Sequence, residues 1–185
     1  MLKKWDVHFP GFPGDQIRTA YIYLPDYYDI DDARRFPVMY MFDGHNVFLD
    51  SDATFGKSWG MNNFMTWTRK PLIIVGISCN HQGNCRLREF APFDYENPEH
   101  GRIESLGRQY MDWMVNVLKP YVDANYRTLP DRNNTIIGGS SMGGLMALYG
   151  ATAYNHIFQR AACLSPSLWV DPGKVLEMVA RAHLQ

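Results

Sequence analysis

Gly139-Ser140-Ser141-Met142-Gly143 fits the pattern G-x-S-x-G, in which a serine on a sharp strand-to-helix turn presents its hydroxyl for attack on an acyl carbon. The glycines have a steric task. The turn is so tight that Cβ atoms at its flanks would collide, and the serine is held in a strained backbone conformation. A helix starting just beyond it aims free N–H groups and the positive end of its dipole at the reacting centre, so the N–H of Met142 is placed to stabilise an oxyanion. Ser141 is therefore the candidate nucleophile. Glycine-rich loops after strands can also cradle phosphate, but no lysine follows Gly144 and a Walker-type reading fails. A plain small-residue turn would need neither a strand before the motif nor a helix after it.

Both are expected. Thr135 to Gly139 is a short apolar run, and a helix should span Met142 to about Tyr154. Pro37 to Phe42, Leu72 to Ile77 and Arg160 to Leu164 are further runs too short for helices, with the near-continuous apolar character of strands buried on both faces. Ile17 to Leu24 is rich in strand-forming residues, and the turn-dense segment Phe9 to Asp15 makes it one arm of an opening antiparallel hairpin. Ile103, Leu106, Tyr110, Met114, Leu118 and Val122 step by three or four residues along one helical face. Pro120 should kink that helix or restart it. A third helix is expected from about Pro172 to His183. Strands alternating with helices imply a parallel sheet covered on both faces. The longest irregular stretch is Ser78 to Gly101, and loops of that length usually serve function or move.

A length of 185 residues suits one domain, at about 100–200 residues per domain. With 46% hydrophobic and 14% aromatic residues, the chain can build a real core, which excludes intrinsic disorder. A formal charge of −1 supplies no pull toward nucleic acid or anionic lipid, leaving a small-molecule substrate as the expected partner. The apolar runs are too short to cross a bilayer, and Met1 to Asp6 does not read as a signal peptide. Three cysteines, Cys79, Cys85 and Cys163, form no disulfide framework, so a reducing cytoplasm is the expected setting. No H-x-x-x-H, C-x-x-C or closely spaced carboxylate set appears, and no metal or cofactor is expected.

The sequence resembles the esterase D-like, or "putative esterase", branch of the α/β-hydrolases. The resemblance rests on Arg18 to Pro25, Phe36 to Gly44, Tyr126-Arg127-Thr128, Pro130-Asp131-Arg132, the elbow at Ser141, and Leu164 to Trp169. It implies that the residue after Asp43-Gly44, here His45, gives the second oxyanion N–H from its main chain. It also implies that Trp59 and Trp169 lie near the rim of a substrate pocket, although large aromatics at such places also serve plain packing.

A serine needs a base, and the base an orienting acid. In this family both follow the nucleophile, Asp or Glu first and then His, and the sequence reaches Gln185 before them. His45 is the nearest internal substitute by topology, but its place suits contact with substrate or solvent better. His81 and His100 are expected as solvated residues of a loop that folds over the site. His156 falls at the far end of the nucleophile's helix, and His8 and His183 lie near the termini. Asp43 is expected to fix its turn by bonding backbone, and Arg86, Arg88 and Glu89 to shape their loop through ion pairs.

The expected fold is a single α/β-hydrolase domain over 1–185: a three-layer sandwich with a mostly parallel sheet, without its C-terminal strands, as the N-terminal portion of a longer enzyme. Arg160 to Leu164 would then be an open edge that invites a homo-oligomer. The expected function is a serine carboxylic ester hydrolase acting through an acyl-enzyme on Ser141, on small acyl esters or acylated sugars. An acyltransferase on the same fold is one alternative. A catalytically inactive hydrolase-fold binding protein lacking the triad Asp and His is the other.

Overall fold

Leu2–His8 (β1) and Ile17–Tyr23 (β2) pair antiparallel in the opening hairpin, in a computed structural model that describes residues 1–14 and 16–182. The apolar runs then become Val38–Phe42 (β3), Ile73–Ile77 (β4), Thr135–Ser140 (β7) and Arg160–Leu164 (β8). Together they make one six-stranded sheet in the order β1-β2-β4-β3-β7-β8. From β4 to β8 every pairing is parallel, while β2 joins β4 antiparallel.

The helices are Met61–Thr68 (α1), Cys85–Glu89 (α2), Gly107–Trp113 (α3), Lys119–Asn125 (α4), Met142–Ala153 (α5) and Pro172–Ala180 (α6). The expected end of α6 at His183 lies outside the described residues. The amphipathic helix runs continuously through α3 and α4, joined by a π-helical segment over Met114–Leu118. Pro120 lies in the first turn of α4, and the segment before it winds more widely, with the Lys119 N–H donating to the Met114 carbonyl. Ile103, read from the periodicity as helical, instead ends Gly101–Ile103 (β6), which pairs with Tyr95–Asn97 (β5). Its side chain is fully buried, so a hydrophobic step that suited a helix is met from a hairpin. The stretch 78–101 is correspondingly less irregular than expected, since it holds α2 and β5.

The larger core lies on one face of the sheet. There Ile22, Tyr40, Val75 and Ile137 meet Tyr110, Met114 and Leu118 of the long helix, and Leu145 and Met146 of α5. The other face carries a smaller cluster, Tyr23, Met41, Phe48 and Ile74 with Met65 of α1. The expected cover on both faces is thus full on one side and partial on the other. The strand β8 lacks the burial on both faces that its apolar run suggested and lies instead at the expected open edge: Arg160, Ala161 and Leu164 are exposed. No strand lies on its outer side among the described residues, and its apolar run reflects packing of Cys163 against the core beneath.

Two contacts fix the segment after β4. Arg18 of β2 forms a fully buried ion pair with Glu89 of α2, whose carboxylate also accepts from the Asn80 N–H at 3.2 Å. Arg86 pairs with Asp43 at the end of β3. These pairs realise the loop-shaping role expected of this charge group.

Candidate active site

Ser141 stands between β7 and α5 with φ 57° and ψ −118°, a conformation that costs a non-glycine residue of order 1–3 kcal/mol. The surrounding backbone imposes it. The Ser141 N–H donates to the Leu164 carbonyl at 3.0 Å, and the Ser141 carbonyl accepts from the Ser167 N–H at 3.0 Å, so the elbow is clamped to the end of β8. A Cβ on Gly139 would fall 2.5 Å from the Gly143 carbonyl oxygen, and one on Gly143 would fall 2.9 Å from Phe42 Cβ. Only glycines let the strand, the turn and the helix approach this closely.

The close approach of Gly143 to Phe42 and Asp43 brings the start of α5 against the end of β3. The first intrahelical bond of α5 is Leu145 N–H to Ser141 carbonyl, so the N–H groups of Met142, Gly143 and Gly144 precede the ladder. His45 follows β3 in the short turn Gly44–Asn46 and is 5% exposed. Met142 at the start of α5 and His45 in the turn after β3, the two expected oxyanion donors, are therefore brought to the same end of the sheet by the contact of Gly143 with Phe42 and Asp43.

Ser141 is exposed at a cleft of about 410 Å³ lined also by Asn46, Thr54, Phe55, Trp59, His81 and Arg86. Trp59 is thus brought to the site. Trp169 is not among the lining residues; it lies on the turn Leu168–Val170 and is 65% exposed.

Among the described residues no histidine hydrogen-bonds to Ser141 Oγ, whose partner is Ser167 Oγ at 3.1 Å. His45 is unsuited to serve as base. Burial lowers its pKa to about 4, outweighing the opposing pull of Asp43, and its Nε2 is engaged with Thr54 Oγ1 at 3.1 Å. His8, His100 and His156 are exposed and do not line the cleft, and His183 lies outside the described residues. Asp43 departs from its expected role. Its carboxylate accepts from Arg86 Nε at 2.8 Å and Nη2 at 2.7 Å, because a guanidinium fork supplies two charge-assisted bonds in place of weaker backbone ones. The pKa of Arg86 is raised: burial would lower it, but the bonds to Asp43 prevail.

Ser167, 1% exposed, carried no expected role, because its approach to Ser141 depends on the turn after β8. The sequence also showed no metal spacing, yet the parallel ends of β3 and β4 bring His45, Cys79 and His81 together. The alternation Cys79-x-His81, which puts two ligand types on one side of an extended stretch, was the available signal.

The sequence profile of the family described as "Putative esterase" matches residues 15–182. The chain belongs to this esterase family. A protein of Mycobacterium tuberculosis described as "Esterase Rv1288" is 30% identical over 157 residues, which cover 84% of this chain and 31% of that protein. "Uncharacterized protein YbbA" of Bacillus subtilis is 22% identical, over 83% of this chain and 58% of its own length. This esterase-family chain thus spans little more than half of one relative and about a third of the other. Among solved structures, an IroE-like serine hydrolase from Shewanella oneidensis superposes with a TM-score of 0.75 at 22% identity, covering 97% of this chain and 55% of that one. The siderophore hydrolase EstA from Aspergillus nidulans gives 0.72 at 17% identity, covering 97% and 62%. These likenesses establish the α/β-hydrolase fold with its mostly parallel sheet. No helix of the described residues is long and apolar enough to cross a membrane.

Proposed function

We propose that this protein is a serine carboxylic ester hydrolase with Ser141 as nucleophile. The observation that carries the reading is the position of Ser141: a strained, exposed serine at the mouth of a helix N-terminus and of the cleft. Its Oγ would add to the acyl carbon as its proton passes to a base, and the carbonyl oxygen would become an oxyanion facing the N–H groups of Met142 and His45. Collapse would expel the alcohol, and water would release the acyl group from Ser141. The reading assigns the base and its orienting acid to residues outside those described.

The cleft volume suits a small ligand, and Phe55 and Trp59 give it an aromatic wall. Small acyl esters and acylated sugars are the substrate classes that the resemblance to the esterase family implies, and a cleft of this size would admit them. The described cysteines are free thiols, in keeping with action in a reducing cytoplasm.

A fluorophosphonate probe labels only an activated serine. The full protein should be labelled and should hydrolyse p-nitrophenyl acetate, and Ser141→Ala should abolish both. Full protein that fails to label would overturn the reading in favour of a non-catalytic binding protein.

A further inference from the structure

His45, Cys79 and His81 each place one ligand-type atom, a ring nitrogen or Sγ, within 4.8 Å of the others. Their convergence follows from the sheet. His45 lies in the turn after β3, Cys79 and His81 follow β4, and β3 and β4 are parallel neighbours, so both segments emerge at the same end. The two imidazoles meet edge to face with centroids 4.5 Å apart, and Cys79 Sγ is 3.9 Å from His81 Nδ1.

His45 carries a second observation. Its Nδ1 is buried with no hydrogen-bond partner, while its Nε2 is engaged by Thr54 Oγ1. A proton on Nε2 donated to Thr54 leaves the Nδ1 lone pair uncommitted. Metal-binding histidines are oriented in this way, with one nitrogen held by a hydrogen bond and the other free to coordinate. Nothing in the proposed ester chemistry uses this nitrogen, since the expected contribution of His45 there is its main-chain N–H.

We propose that His45, Cys79 and His81 form a binding site for a zinc-class divalent ion beside the cleft of Ser141. Two imidazoles and a thiolate suit such a borderline-soft ion, and three protein ligands leave a fourth position for water. Zn–N near 2.0 Å and Zn–S near 2.3 Å set the ligand atoms of two imidazoles and one thiolate roughly 3.3–3.5 Å apart in a tetrahedral site. The present triangle is wider. His81, exposed, is the ligand that swings inward, whereas Cys79 and His45 are 3% and 5% exposed and stay in place. The thiol proton of Cys79 leaves to water as the Zn–S bond forms, with no change in oxidation state. Asp43 and Arg86 adjoin the site as an ion pair, so their charges largely cancel. All three ligands line the cleft with Ser141.

The inference stands apart from the esterase reading, because its test needs no turnover. Titration of the metal-free protein with Co²⁺ should produce, at one equivalent, a thiolate-to-cobalt charge-transfer band together with intense visible bands of a tetrahedral ion, both bleached by Zn²⁺. Cys79→Ser should remove the charge-transfer band, and His81→Ala should weaken Co²⁺ binding at least tenfold. Cys85→Ser and Cys163→Ser should keep the wild-type spectrum. Should Cys79→Ser fail to fold, His81→Ala, altered at an exposed position, decides the matter. Absence of the band in wild type, its survival in Cys79→Ser, or unweakened binding in His81→Ala would each overturn the proposal.

Discussion

Arg86 grips both carboxylate oxygens of Asp43, Nε to Oδ1 at 2.8 Å and Nη2 to Oδ2 at 2.7 Å, across 43 residues of chain. Asp43 is the left-handed residue, φ 54°, that ends β3 and starts the turn bearing His45. The pair therefore ties the segment after β4 to the turn on which the proposed oxyanion donor sits. The Asp43 side chain is 5% exposed and that of Arg86 31%, so removing the arginine leaves a buried carboxylate without its cation. Arg86→Met should lower unfolding stability by about 2–4 kcal/mol, toward the low side of a fully buried pair because one partner is partly solvated. Urea denaturation measures this. The double variant Asp43→Asn/Arg86→Met should lose clearly less than the sum of the two single changes; strict additivity would show that the pair is not coupled.

The elbow was legible because its constraints are local: a strand, two glycines, a serine and a helix within twenty residues fix both φ and exposure. The β3, β4, β7 and β8 runs were legible for the same reason, each being short, apolar and bounded by turn residues. What escaped was set by long-range approach. Ile103 satisfied a helical period yet is buried from a hairpin. Asp43 found its partner in α2 rather than in its own turn. Cys79 meets His45 only because β3 and β4 lie side by side, and a linear spacing search cannot see a parallel register. Trp169, expected near the pocket rim by resemblance, is exposed on the turn that follows Ser167 and does not line the cleft of the described residues.

Gly139 has no room for a methyl group, since the added Cβ would lie 2.5 Å from the Gly143 carbonyl oxygen and 2.6 Å from its carbon. Both are backbone atoms and cannot rotate away. Gly139→Ala should destabilise the fold by about 1–3 kcal/mol through overpacking, read as a lower thermal midpoint. It should also cut fluorophosphonate labelling at least tenfold, because relief comes only by opening the turn that holds Ser141. Wild-type labelling in this variant would show that the elbow tolerates widening.

Asp50 organises the loop that supplies Thr54, Phe55 and Trp59 to the cleft. It accepts from Lys57 Nζ, the Ser58 N–H and Ser58 Oγ at 2.9, 2.9 and 2.7 Å. These contacts, the Lys57 bond foremost, hold its carboxyl well below the usual carboxylate range. A depressed folded pKa contributes stability above the unfolded value, near 3.8, and that contribution is lost as pH falls through the folded value. Protection of the Ser58 amide from hydrogen exchange should therefore persist at pH 5 and decline below about pH 4. Asp50→Asn should show reduced protection already at pH 5. Equal protection in the two proteins at pH 5 would remove the carboxylate from this role.

Ser167 offers a way to separate positioning of the nucleophile from the chemistry it performs. Its N–H clamps the Ser141 carbonyl, and its hydroxyl lies 3.1 Å from Ser141 Oγ. Ser167→Ala keeps the backbone clamp and deletes only the hydroxyl contact. A neutral hydrogen bond contributes about 1 kcal/mol, and the exposed Ser141 hydroxyl can turn to water instead, so the thermal midpoint should move little. The labelling rate should change more specifically. Freed from Ser167, the Ser141 side chain can distribute over three staggered wells, and if one of them is reactive, the rate should fall by about threefold. The bimolecular rate of fluorophosphonate labelling, measured beside the melting curve, reads both quantities at once. An unchanged rate would mean that Ser167 does not orient the serine, whereas a loss beyond about a hundredfold would exceed any rotamer effect and would make the Ser167 hydroxyl a participant in the reaction.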